Sequence, residues 1–114
     1  MRGLLFHGDF SWDGKENHNG LICWVHLHPL DGDVSVQRMS DILVSKLRKD
    51  EKVILVPFSC LDENSESMVF DRAKIYFSNL VKKIPGAVAA PFNPTNELRL
   101  SVLAENSRVL FVEI

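Results

Sequence analysis

The sequence has little that would place it in a membrane, in an oxidising compartment or on nucleic acid by bulk charge. Its longest apolar runs, such as Val53-Ile54-Leu55-Val56-Pro57-Phe58, fall far short of the roughly 20 residues that a membrane-crossing helix needs. The start lacks a basic segment followed by a long apolar one, so no targeting leader is read there. Basic side chains number 13 against 15 acidic ones, a formal charge of -2, which excludes a polybasic protein that holds phosphates by bulk counterion release. Any RNA contact is then local or helped by another domain. The two cysteines, Cys23 and Cys60, stand in separate segments without metal-ligand spacing, so neither a disulfide framework nor a zinc site is expected. A glycine-rich phosphate loop, His-Glu-x-x-His and Gly-x-Ser-x-Gly are all absent, which removes the most specific signatures of phosphate, zinc-hydrolase and serine-hydrolase chemistry.

What is there suits one domain spanning residues 1–114, since 46% hydrophobic residues supply a core and no linker, repeat or low-complexity stretch divides it. A soluble, cytoplasmic protein is expected. Gly3 to His7 predicts a short strand, Ser11 to Gly20 a polar loop, and Leu21 to His28 a second strand that stops at Pro29. Asp33 is the expected N-cap of a helix from Val34 to Arg48, whose apolar positions Val36, Met39, Leu43 and Leu47 recur at steps of three and four. Val53 to Phe58 is apolar throughout, as an interior strand covered on both faces would be. Ser67 to Ile84 places Val69, Ala73, Tyr76, Phe77, Leu80 and Ile84 on one helical face, with Lys82-Lys83 and Pro85-Gly86 closing it. Three further strands are expected: Ala87 to Phe92, the alternating Leu98 to Val102, and Val109 to Ile114. The order β, β, α, β, α, β, β, β predicts an α/β sandwich with a mixed β-sheet and two main helices.

Three places could carry chemistry. His26 and His28 stand two apart on a predicted strand and so share a face, where two imidazoles could hold a divalent ion given a third ligand; the ordinary reading is a pair of half-exposed strand histidines, and no metal is expected. Cys60 follows Pro57-Phe58-Ser59 at the end of the interior strand, where open α/β sheets place their ligands. It is either a nucleophile or a packed thiol, because free cysteine is among the residues most often buried. Glu105 is a general base, an anchor for a substrate amine or, in the ordinary reading, a solvated turn carboxylate.

Three segments in order resemble a known family. They are Met1-Arg2-Gly3-Leu4-Leu5-Phe6-His7-Gly8-Asp9-Phe10, then Val56-Pro57-Phe58-Ser59-Cys60-Leu61, then Ala90-Pro91-Phe92 followed by Leu103-Ala104-Glu105-Asn106-Ser107-Arg108. Together these resemble the N-terminal editing domain of archaeal threonyl-tRNA synthetases, in which the corresponding runs read His-small-Asp-aromatic, Tyr-Pro-Phe-Ala-His-Leu, Ala-Pro-Phe and Leu-Ala-Glu-Leu-Ser-Arg. The resemblance covers nearly the whole chain and implies a fold like that of D-aminoacyl-tRNA deacylases.

It also implies an activity, hydrolysis of serine mischarged on threonine tRNA. Serine and threonine differ by one methyl group, worth about 1–3 kcal/mol in a pocket, so a second hydrolytic step is needed for accuracy. Carried over residue by residue, Phe58, Ser59, Cys60 and Phe92 become the substrate-binding wall, and Glu105 contributes to catalysis. The family's catalytic lysine, four residues after the second phenylalanine, corresponds here to Asn96, and the family's histidine corresponds to Cys60. The implied partners are the 3′ end of mischarged threonine tRNA and a threonyl-tRNA synthetase catalytic domain, with a homodimer as an option and no cofactor. Two alternatives stay open: a catalytically degenerate, structural or tRNA-positioning domain of such a synthetase, and, setting the resemblance aside, a small thiol hydrolase built on Cys60.

Overall fold

The structure, a computed structural model, describes residues 1–12, 16–28, 31–58, 67–92, 96, 98–100, 102 and 108–114, with backbone alone for Phe58 and for residues 67–70. Its elements run β1 (Arg2–Trp12), β2 (Glu16–His26), α1 (Asp33–Lys46), β3 (Lys52–Phe58), α2 (Ser67–Lys83), β4 (Val88–Ala89) and β5 (Leu110–Glu113). Positions 96, 98–100 and 102 are also helical. One five-stranded sheet has the order β4-β3-β2-β1-β5. Pairing is antiparallel for β1 with β2 and with β5, and parallel for β3 with β2 and with β4. The sheet is therefore mixed, and Val53 to Phe58 is interior to it, as its apolar sequence predicts.

Strand parity sorts the core into two clusters. Leu5 on β1, Leu21, Cys23 and Val25 on β2, and Val53 and Leu55 on β3 pack with Val36, Met39 and Leu43 of α1 and Ala73, Phe77 and Leu80 of α2. The neighbours of those strand residues point the other way: Phe6, Phe10, Ile22, Ile54 and Val56 form the second cluster, with Ala90 and Leu100 over them. Both crossovers, β2-α1-β3 and β3-α2-β4, thus lay their helices on one face of the sheet, as right-handed connections between adjacent parallel strands require.

Several sequence expectations are corrected. The polar stretch Ser11 to Gly20 is not simply a loop: β1 continues to Trp12 and β2 starts at Glu16, in a long hairpin. Its polar residues lie where a strand pair meets solvent, and Asn19 Nδ2 donates to Asp9 Oδ1 across the pair at 2.6 Å. The expected strand Leu98 to Val102 is helical at each described position. Asn96 and Leu100, four apart, are buried, whereas Leu98 and Val102 are exposed, a period of about 3.6 rather than 2. Gly32, not Asp33, is the N-cap of α1, and Asp33 lies in the first turn, where its charge meets the positive end of the helix dipole. The strand expected over Ala87 to Phe92 contracts to Val88–Ala89, because Pro57 of β3 has no N–H to donate to the Ala90 carbonyl and the ladder cannot go on. The expected turns at Asn93-Pro94 and Asn106-Ser107 lie outside the described residues.

Candidate functional site

Of the residues that the resemblance singles out, those described, Phe92, Asn96 and the backbone of Phe58, lie near the carboxyl ends of β3 and β4. These two strands run parallel with Ile54 opposite Val88 and Leu55 opposite Ala89, and the Ala90 N–H donates to the Leu55 carbonyl at 2.8 Å. Run forward, this register sets Pro57-Phe58 beside Pro91-Phe92. Pro57 has no N–H to donate to the Ala90 carbonyl, so the pairing of β3 with β4 stops at this level, while β3 itself stays paired with β2 through Phe58. The carboxyl ends of adjacent parallel strands are also where open α/β sheets present ligands.

Phe92 is half-buried, with its ring edge-on to Phe77 of α2 at a centroid distance of 5.3 Å and an interplanar angle of 73°. Asn96 is buried at 1% exposure. Its Nδ2 donates to the Pro91 carbonyl at 2.8 Å, tying the helical position to the chain just beyond β4, while its Oδ1 is buried without a hydrogen-bond donor among the described residues. The backbone of Phe58 closes β3; its side chain, with Ser59, Cys60 and Glu105, lies outside the described residues. The structure therefore ties Asn96 to the Pro91 carbonyl next to Phe92, near the end where the pairing of β3 with β4 stops. An amide in this position can donate or accept a hydrogen bond but exchanges no proton near neutral pH.

Other polar groups are grouped near the start of β1. The Met1 ammonium is buried against Asp31 Oδ1 at 2.6 Å, and Asp31 Oδ2 accepts from the His28 N–H at 2.6 Å, closing the turn after β2. Burial, then the charges of Arg2, the N-terminus and His28, lower the His26 pKa, against an opposing pull from Asp31. His26 and His28 find no third ligand: among the described residues no group of three His, Cys, Asp or Glu side chains could hold a metal ion. Burial pushes the Cys23 thiol far up, so it is a packing residue and not a nucleophile. On the helix-side face, His7 Nδ1 donates to Glu51 Oε2 at 2.8 Å.

Hollows among the described residues open around β1, β2 and β5. One of about 240 Å³ is lined by Arg2, Gly3, Leu4, Trp24, His26 and Phe111. Sequence reading did not assemble this group, although strand alternation with the correct pairing would have put Arg2 and Leu4 on one face and Trp24 and His26 beside them. No protein-family model matches the chain, and no curated protein matches it.

Proposed function

We propose that the chain is an aminoacyl-tRNA editing domain of deacylase-like fold that hydrolyses serine mischarged on threonine tRNA, within or alongside an archaeal threonyl-tRNA synthetase in the cytoplasm. The observation that supports this reading is the register of parallel β3 and β4, in which Pro57-Phe58 at the end of β3 correspond to Pro91-Phe92 just beyond β4. In the family that the sequence resembles, the two corresponding segments line the pocket. In this scheme Phe58, Ser59, Cys60 and Phe92 wall the aminoacyl group. Water attacks the ester carbonyl, Glu105 takes the proton, and the terminal adenosine leaves as the alcohol. No covalent enzyme intermediate forms.

One observation favours the second reading, a degenerate domain that positions tRNA or serves structurally. Asn96, where the family has a lysine, commits its amide to the Pro91 carbonyl and brings no positive charge to a developing oxyanion. Loss of one such electrostatic donor costs about 100- to 1000-fold in rate. The full chain should therefore deacylate seryl-tRNA for threonine slowly, with threonyl-tRNA as the discrimination control. Turnover is expected to survive Cys60→Ala and a chelator and to fall on Glu105→Ala. Complete absence of wild-type turnover sinks the editor in favour of the degenerate domain. Loss on Cys60→Ala with a trapped acyl-enzyme assigns a thiol hydrolase instead.

A further inference from the structure

Among the described residues, the sheet face opposite the helices is covered over only part of its area. Ala90 and Leu100 lie over Phe6, Phe10, Ile22, Ile54 and Val56, and none of the described residues outside the sheet extends this cluster to the end where β1 begins and β5 finishes. There Phe111 is 55% exposed, and the hollow of about 240 Å³ opens beside Leu4 and Trp24. A second hollow of about 350 Å³ adjoins it, sharing Arg2 and His26 and continuing to His28, Asp31 and Glu113.

Pairing arranges this open area as two rows across three strands. Leu4 lies opposite both Trp24 of β2 and Phe111 of β5, which makes an apolar row. Arg2 lies opposite both His26 of β2 and Glu113 of β5, which makes a polar row. All six share a face: a Cβ on the intervening Gly3 would point at Met39 and Cys23 on the helix side. Strands stand ~4.8 Å apart and alternate residues on a strand ~6.8 Å apart, so a surface able to receive a flat ring runs parallel to a row of hydrogen-bonding groups one residue pair away.

Charge decides what the polar row would take. The Met1 ammonium is matched by Asp31 in a buried pair. Arg2 meets Glu113 at 3.7 Å, but both side chains are more than half exposed, and such pairs contribute about 0–1 kcal/mol. A phosphate, which guanidinium recognises in bidentate fashion, can outcompete that carboxylate.

We propose that this face binds a nucleoside monophosphate unit, with the base over Leu4, Trp24 and Phe111 and the phosphate on Arg2 and His26. The ribose spans the gap between the two rows. An isolated phosphate lacks the apolar row, and a simple benzoate-like anion is too short to reach from one row to the other. The inference does not rest on the editing reading, since it uses β1, β2 and β5 instead of the ends of β3 and β4.

Calorimetric titration of the full chain with adenosine 5′-monophosphate, adenosine and inorganic phosphate tests it, with Trp24 fluorescence followed in a Trp12→Phe background. Saturable binding of the monophosphate with quenching of Trp24 is expected. Adenosine should bind about tenfold more weakly, the loss of one charge-assisted contact, and inorganic phosphate should not saturate. Arg2→Gln should bring the monophosphate down to the affinity of adenosine and leave adenosine unchanged, whereas Phe111→Ala should weaken both. Both substituted side chains are exposed, so neither change threatens the fold. A short oligonucleotide with the same 5′-phosphorylated terminal nucleotide separates the two sources of such a unit. Equal affinity assigns the site to a free nucleotide, and an additional gain that Arg2→Gln removes assigns it to an RNA end. No binding of either nucleotide ligand, binding of the monophosphate indifferent to Arg2→Gln, or an equal response to phosphate alone overturns the proposal.

Discussion

At the scale of single residues, two glycines on the β1–β2 hairpin differ in what they allow. A Cβ on Gly20 would stand 2.2 Å from the Lys52 carbonyl oxygen of β3, a backbone atom that moves only if the strands separate. At Gly8 the nearest atoms are carbons of the Phe6 ring, at 3.7 Å and beyond, which is ordinary contact. Gly20→Ala should therefore destabilise by the roughly 1–3 kcal/mol of an overpacked site, toward the upper end because the obstacle is backbone. Gly8→Ala should be neutral or stabilise by about 0.5 kcal/mol, because alanine loses less conformational freedom on folding. Urea denaturation of the two variants against wild type measures the contrast, and equal effects would show that β2 and β3 are not so closely apposed. Nothing in the sequence separates these glycines, since the constraint on Gly20 comes from a strand 32 positions away in the Gly20–Lys52 pairing.

At the scale of elements, α1, α2 and β3 were legible because each pattern has a single physical interpretation: two helical stripes and one wholly apolar run. Polarity conceals the hairpin in the sequence, because a strand pair bordering solvent keeps its hydrogen bonds whatever its outward side chains are. The stretch Leu98 to Val102 reads as a strand because Leu98, Leu100 and Val102 alternate, yet its described positions are helical. Their burial separates the two structures: in a strand all three would share one face, whereas Leu100 is buried at 0% exposure while Leu98 and Val102 are 72% and 56% exposed. Leu100→Ala should then cost about 2–4 kcal/mol, with Leu98→Ala and Val102→Ala each within about 0.5 kcal/mol of wild type. Asn96→Ala should cost about 1 kcal/mol, since it removes the bond to the Pro91 carbonyl together with an unsatisfied Oδ1. Three comparable losses at Leu98, Leu100 and Val102 would restore the strand. Of the carried-over site, the two Pro-Phe segments are legible in the sequence through the resemblance, but the commitment of Asn96 to the Pro91 carbonyl is not, since it depends on a helix that the alternation conceals.

At the scale of the whole molecule, acid acts on both sides of the sheet in the same direction. On the side opposite the helices, folding holds the His26 pKa below its ordinary 6.5, through burial and the charges of Arg2, the N-terminus and His28, with Asp31 opposing. The unfolded chain therefore binds the His26 proton more readily, so stability begins to fall as pH drops through the ordinary histidine value and stops falling below the lowered folded one. On the helix side, burial acts to raise the Glu51 pKa. The hydrogen bonds from His7 and from the Arg48 N–H, with the charges of both residues, outweigh burial and hold it below its ordinary 4.5. This contribution is complete above that ordinary value and is lost as pH falls through the folded one. The urea midpoint should accordingly decline in two steps, one beginning near the histidine range and one in the carboxylate range. His26→Gln should reduce the first step and leave the second, and Glu51→Gln should do the reverse, because the two groups lie on opposite faces and none of the groups that shift one pKa shifts the other. Midpoints measured for wild type and both variants between neutral and acidic pH decide the matter. If Glu51→Gln left the acid step unchanged, the His7–Glu51 contact would not be holding the carboxylate in its charged form, and acid sensitivity would have to arise elsewhere in the fold.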